Sequence, residues 1–247
     1  MPGTLYLIPV EIADGTLPGV LPPATLKTLF TLRHFLVENA KSARAFLSRA
    51  GYPFSLRETD IREIGHRPSP ELCGEWLRNA LQGADIGILS ESGCPAVADP
   101  GAEVVRAAHG LGLRVVPLVG PSAILLTLMA SGLCGQRFSF VGYLPVGETE
   151  RAREIARLER LSGSDQTQLL IETPYRNNQV FEALLNTLSP DTSLCVAQDV
   201  TGQEEFICTK TAAQWKKARP ELKKLPTVFA FKAPAVRSRP RKGFTGS

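Results

Sequence analysis

Between Thr4 and Leu118 the chain repeatedly sets a short apolar run of strand length ahead of a helical stretch, and this alternation limits the fold more than any other feature. Residues 4–8, 34–37, 86–89 and 113–118 read as strands, and helices are predicted over 23–32, 42–50, 69–81 and from Ala102 onward. The 69–81 helix has the clearest start: Ser69 as N-cap, Pro70 at the first helical position and Glu71 near the positive end of the dipole. Leu72, Trp76, Leu77 and Leu81 then share one face, and Gly83 follows. Residues 56–63 are too mixed in character to assign. Strands separated by helices imply a parallel sheet covered on both faces.

Past Val119-Gly120 the pattern changes. Ser122 stands ready to cap an apolar helix over 123–131, closed by Gly132. Strands are expected at 138–141, 168–171, 194–197, 205–208 and 227–231, with helices at 148–161, 178–188 and 213–218. The runs flanking Gly202 suit a hairpin, so this half is expected to hold a mixed sheet. The fold expected is α/β with two α/β domains: residues 1–119 with a parallel sheet, residues 120–235 with a mixed sheet, and 236–247 a basic, disordered tail.

The stretch from Ser90 to Gly101 follows the apolar run Ile86-Gly87-Ile88-Leu89 and consists of small, polar, Gly and Pro residues. In open α/β sheets ligands bind beyond the carboxyl ends of strands, where glycine lets backbone come close to them. An ordinary strand-to-helix connection stiffened by Pro95 and Pro100 explains the same residues.

The chain has 247 residues, 43% of them hydrophobic and 21% charged, enough for two domains of about 100–150 residues. No apolar run approaches the ~18 residues of a membrane span. The first residues lack the basic region and apolar stretch of a signal peptide, so a cytoplasmic location is expected. Cys73, Cys94, Cys134, Cys195 and Cys208 are odd in number and lack a C-x-x-C pair; they are expected as reduced, mostly buried thiols. His34, His66 and His109 have no metal-ligand spacing, and no metal site is expected. From residue 209 on there are eleven Lys/Arg against Glu221 alone, a block suited to phosphates or to plain solvation. Neither H-E-x-x-H nor G-x-x-x-x-G-K-[ST] occurs, and Val119-Gly120-Pro121 is not a dinucleotide G-x-G-x-x-G. What remains is a set of strand-end loops suited to a neutral or zwitterionic small molecule, and group transfer by positioning.

Ser90 to Gly101 resembles the S-D-A-G-x-P-x-x-x-D-P-G loop of the tetrapyrrole methylase superfamily, in particular its ribosomal-RNA small-subunit methyltransferase I branch. Leu5-Tyr6-Leu7-Ile8-Pro9, Glu38 to Arg44, Pro121-Ser122-Ala123, Phe140 to Pro145 and Glu172-Thr173-Pro174-Tyr175-Arg176 match further motifs in order. The resemblance covers about residues 4–232. It implies two α/β domains with S-adenosyl-L-methionine in the cleft between them, usually in a homodimer.

On the same resemblance Pro9, Glu91, Gly93, Cys94, Ser122, Ala123, Thr173, Ala197 and Thr227 lie along the cofactor, and Glu38, Lys41 and Arg44 on the acceptor side. The expected activity is methyl transfer to the 2′-oxygen of a ribose, a cytidine, in small-subunit ribosomal RNA, with that RNA or the assembled subunit as partner. A tetrapyrrole-like small-molecule acceptor, or a cofactor-binding protein without catalysis, are the alternatives. Glu11, Glu38 and Glu172 are candidate bases among which the sequence does not choose. Two departures stand out: Val10-Glu11-Ile12-Ala13-Asp14 replaces the branch's T-P-I-G-N, and Glu91 replaces its Asp.

Overall fold

The computed structural model describes residues 1–65 and 68–235; His66 and the expected tail at 236–247 lie outside the described residues. The chain forms two compact units, Met1–Ala123 with Thr201–Gln203, and Ile124–Val200 with the residues from Glu204 on.

In the N-terminal unit the elements run β1 (Thr4–Ile8), α1 (Leu17–Val20), α2 (Pro23–Leu29), β2 (His34–Val37), α3 (Ala40–Arg49), β3 (Asp60–Glu63), α4 (Pro70–Trp76), α5 (Arg78–Leu81), β4 (Ile86–Leu89), α6 (Ala102–Gly110) and β5 (Arg114–Pro117). The five strands lie in the order β3-β2-β4-β1-β5, every pair parallel. The apolar runs are short because each strand is only four or five residues long, and β2 and β4 are covered on both faces. Leu5, Leu36, Ile86 and Ile88 enter one core cluster and Ile8, Phe35, Val37 and Leu89 another, the period-2 alternation of a sheet with two buried faces.

Three local expectations change. Residues 56–63 contain β3, an edge strand whose Arg62 and Glu63 are exposed, which dilutes its apolar signal. α3 begins at Ala40 rather than Ser42, because Asn39 Oδ1 accepts from the N–H groups of Lys41 (2.9 Å) and Ser42 (3.1 Å). The helix expected over 69–81 is two helices, separated at Leu77 (φ −84°, ψ −2°), although Ser69 caps the first as expected.

The second unit, which begins one residue into α7 (Ala123–Ser131), continues with β6 (Phe138–Phe140), α8 (Glu148–Ser162), β7 (Thr167–Glu172), α9 (Asn177–Thr187), β8 (Ser193–Gln198), β9 (Phe206–Thr211), α10 (Ala212–Lys217) and β10 (Thr227–Lys232). Its sheet order is β6-β7-β10-β8-β9, with β6 and β7 parallel and the remaining pairs antiparallel. β8 and β9 form the expected hairpin. Phe181, Trp215 and Phe229 anchor the core, with Phe181 and Trp215 edge-to-face at 5.4 Å and the Trp215 indole N–H donating to the Leu194 carbonyl at 2.8 Å. Two of the five cysteines, Cys73 and Cys195, are buried, while Cys94, Cys134 and Cys208 are partly exposed; all five are free thiols. Among the described residues no helix is long and apolar enough to cross a membrane.

Candidate active site

The order β3-β2-β4-β1-β5 places the reversal of chain direction between β1 and β4. After β1 the chain moves outward past β4 to β2; after β4 it crosses β1 to reach β5. The loops leaving β1 and β4 therefore part from each other at their carboxyl ends, the place where open α/β sheets bind ligands.

The two loops are tied where they part. The Val10 N–H donates to the Gly93 carbonyl at 2.9 Å, and the Ser90 hydroxyl donates to the same carbonyl at 3.0 Å. Gly93 has φ +71°, and a Cβ there would stand 3.2 Å from Ile12 Cγ2 and 3.5 Å from the Pro121 carbonyl oxygen. The Cys94 thiol donates to that same carbonyl at 3.3 Å, and burial followed by the charge of Asp99 raises its pKa. Ala96 and Ala98 both hold φ +64°, costly for residues with a side chain, and Gly101 at φ +130° occupies a conformation that essentially only glycine tolerates. The strained backbone at Ala96 and Ala98, about 1–3 kcal/mol each, is held in place by the packing around this loop.

Beside this loop stands the amino end of α3. The Ser42 hydroxyl donates to Glu91 Oε1 at 2.7 Å, joining the helix to the β4 loop. Glu38 directly follows β2, and Lys41 and Arg44 are exposed on α3. Asp99 Oδ2 is buried and has no hydrogen-bond partner. Burial first, then the charges of Glu38 and Glu91, raise the Asp99 pKa to about 7. The structure thus brings Glu38, Ser42, Glu91 and Asp99 together. Among the described residues, no group of three His, Cys, Asp or Glu side chains is arranged to hold a metal ion.

Glu11, near the start of the loop after β1, is 5% exposed, and its Oε1 accepts from Arg49 Nε (2.9 Å) and Nη2 (2.6 Å). It lines a cavity of about 230 Å³ whose walls also include Ile12, Phe46, Arg49, Ser90 and Ser92. Pro9 is buried at the end of β1, packed so closely on Gly120 that a Cβ at Gly120 would fall 2.3 Å from Pro9 Cβ.

In the second unit Thr173, Ala197 and Thr227 gather at one end of the sheet, since Thr227 is paired with Glu172 and Gln198 across the strands, and Val228 with Ala197. Thr173 is exposed; Ala197 is fully buried, and the Thr227 hydroxyl is engaged by Gln198 Nε2 at 3.0 Å while donating to the Leu225 carbonyl at 3.0 Å. The Glu172-to-Arg176 motif has a structural purpose here. Glu172 Oε1 accepts from the Thr173 N–H (2.8 Å), Oε2 lies 3.3 Å from Arg176 Nη2, and that guanidinium reaches the carbonyls of Leu144 (3.5 Å) and Pro145 (3.4 Å). Glu172 is therefore committed to fixing two loops, and Glu11 to Arg49.

Pro9, Glu91, Gly93, Cys94, Ser122 and Ala123, with Glu38, Lys41 and Arg44, fall in the first unit, and Thr173, Ala197 and Thr227 in the second. Sequence reasoning missed Ser42, Arg49 and Asp99. Asp99 carried a signal in the D-P-G end of the loop motif; the partners of Ser42 and Arg49 lie 49 and 38 positions away and leave none.

Comparison with known proteins gives the family. A family profile described as "Tetrapyrrole (Corrin/Porphyrin) Methylases" matches residues 31–215. The chain is 29% identical over 212 residues to a protein of Xylella fastidiosa named "Ribosomal RNA small subunit methyltransferase I", covering 86% of this chain and 74% of that protein. Proteins of the same name from Mesorhizobium japonicum (33% over 211 residues; 84% and 67% covered) and Bacillus subtilis (31% over 207; 83% and 66%) are also similar. The chain thus spans about two thirds to three quarters of the length of these relatives. Among solved structures, the methyltransferase CobJ aligns with a TM-score of 0.60 at 17% identity over 96% of this chain and 97% of that one. A uroporphyrin-III C-methyl transferase from Thermus thermophilus complexed with S-adenyl homocysteine aligns at 0.55 and 18% identity, covering 93% and 97%. These structures bear on the fold alone. With three quarters of its length matched by the profile, and its strained β4 loop placed at the switch point of a parallel sheet, the chain belongs to the tetrapyrrole (corrin/porphyrin) methylase family.

Proposed function

We propose that this chain is a cytoplasmic, homodimeric S-adenosylmethionine-dependent methyltransferase that methylates the 2′-oxygen of a ribose, a cytidine, in small-subunit ribosomal RNA. The acceptor class is carried by the relatives named for that RNA, three of which match more than four fifths of this chain. The dimer rests on the superfamily resemblance.

In the loop where the resemblance puts the cofactor, Gly93 is required by the packing, since a Cβ there would stand 3.2 Å from Ile12 Cγ2 and 3.5 Å from the Pro121 carbonyl oxygen; the placing of the cofactor rests on the resemblance. When bound, the sulfonium supplies an activated methyl group. The chain's part is to align an oxygen with that methyl and to take the proton that the hydroxyl loses. Of the acids at hand, Glu11 and Glu172 have Arg49 and Arg176 beside them, whereas burial and the charges of Glu38 and Glu91 raise the Asp99 pKa to about 7. A group with proton affinity near working pH is the best matched to act as base, which assigns that role to Asp99 with Glu38 and Glu91 tuning it.

The test is transfer of labelled methyl from S-adenosylmethionine to unmodified small-subunit ribosomal RNA, followed by alkaline digestion. Label in an alkali-resistant dinucleotide is the expected result, since a methylated 2′-oxygen cannot attack the neighbouring phosphate. Label in free mononucleotides would move the methyl to a base and refute the ribose assignment.

A further inference from the structure

In the second unit the turn after β7 is braced from beneath, yet it leaves its aromatic side chain in solvent. The Thr173 N–H donates to Glu172 Oε1 at 2.8 Å, the Arg176 N–H donates to the Thr173 carbonyl at 2.9 Å, and Pro174 fixes φ between them. Tyr175 is nevertheless 84% exposed. The Arg176 guanidinium ties the same turn to the loop after β6, through the carbonyls of Leu144 and Pro145, and that loop carries a second exposed ring, Tyr143.

A basic segment is clamped against this turn. Asn177, buried at the start of α9, donates from Nδ2 to the Leu225 carbonyl at 2.7 Å and to the Lys223 carbonyl at 3.2 Å. Asn178 donates to the Leu222 carbonyl at 2.8 Å and accepts from its N–H at 2.9 Å. The Gln198 amide holds Lys223 in the same way, donating to its carbonyl (2.9 Å) and accepting from its N–H (3.1 Å). The result is a Lys224 ammonium 5.7 Å from the centre of the Tyr175 ring, within cation–π range. Lys223 is paired with Glu204 and Arg219 with Glu182, whereas Lys224 stands on the ring.

An exposed ring that adds nothing to the core, carried on a fixed turn and set beside a cation, has the make-up of a stacking position for single-stranded nucleic acid. Every base offers a flat face to such a ring, and the phosphate beside it meets the ammonium. Protein interfaces enrich tyrosine but deplete lysine, so the pairing favours RNA over a protein partner or a second copy of this chain. We propose that an unpaired base of the RNA stacks on Tyr175 while Lys224 meets the adjacent phosphate. The turn is ordered before the RNA arrives, so stacking costs little conformational freedom. This inference rests on the RNA reading above.

The test uses the full chain with S-adenosylhomocysteine present and measures binding of an unstructured single-stranded RNA dodecamer by fluorescence anisotropy over a range of salt. Tyr175→Ala weakens binding about 5- to 100-fold, and Tyr175→Phe, which keeps the ring, restores most of it. Lys224→Gln flattens the salt dependence by about 0.7, the share of one phosphate on a single strand. Because both side chains are exposed, the melting temperature and the affinity for S-adenosylhomocysteine stay at their wild-type values. Undiminished binding in Tyr175→Ala, a loss in Tyr175→Phe as large as that in Tyr175→Ala, or an unchanged slope in Lys224→Gln overturns the proposal. Lost S-adenosylhomocysteine affinity in Tyr175→Ala would give the ring to the cofactor, and a changed sedimentation coefficient would give it to a second copy; either result overturns it too. Methyl transfer to small-subunit ribosomal RNA is measured alongside. Wild-type transfer without dodecamer binding defeats this inference and leaves the methyltransferase standing, whereas no binding and no transfer defeats both.

Discussion

Asp99→Asn removes the one carboxyl whose proton affinity the structure most strongly changes. Its ordinary value of 3.8 rises to about 7, by burial first and then by the charges of Glu38 and Glu91. Because the native state holds the proton more tightly than the unfolded chain, this group's contribution is fully present below pH 3.8. It declines as pH rises and is gone above about 7. At about 1.4 kcal/mol per tenfold change in affinity, the interval corresponds to about 4 kcal/mol. The carboxyl is only partly buried, and solvent screening brings this to about 2 kcal/mol. Asparagine mimics the neutral form at every pH. Urea unfolding should therefore find the variant close to wild type near pH 4.5 and about 2 kcal/mol more stable at pH 8, while methyl transfer falls sharply. A stability difference that does not change between these pH values would refute the claim that Asp99 is a partly buried acid whose proton affinity its neighbours raise.

Gly93→Val should lower cofactor affinity far more than stability; strain at φ +71° is worth about 1–3 kcal/mol, and the added methyl groups crowd Ile12 and the Pro121 carbonyl. Calorimetric titration with S-adenosylhomocysteine reads this, and unchanged affinity would return the loop to a structural role. Glu38→Ala and Arg44→Ala should reduce methyl transfer with cofactor binding near normal; loss of cofactor affinity would move them off the acceptor side. Deleting Arg237 to Ser247 removes four positive charges. If they meet phosphates, the salt dependence of RNA binding flattens by about 0.7 for each phosphate no longer neutralised on a single strand, and an unchanged slope assigns them to solvation.

The parallel sheet was readable because strands buried on both faces are continuous apolar runs, as in Ile86-Gly87-Ile88-Leu89. β3 was not, since an edge strand bearing Arg62 and Glu63 has no such run. The order of the second sheet was out of reach as well. β10 inserts between β7 and β8, a pairing that no local pattern encodes. At the site, Gly93, Pro95 and Gly101 marked the loop by their own conformational chemistry. The links Ser42 to Glu91 and Arg49 to Glu11, and the mutual influence of Glu38, Glu91 and Asp99, exist only once the sheet brings separate loops together.

The central claim is that this methylase-family chain acts on RNA. The direct measurement sets labelled methyl transfer to small-subunit ribosomal RNA, free and in the assembled subunit, beside transfer to a porphyrinogen under the same saturating S-adenosylmethionine. The account predicts incorporation into the RNA in at least one of its two forms, lost in Asp99→Asn, and none into the porphyrinogen. Incorporation into the porphyrinogen with both RNA forms unlabelled would contradict it.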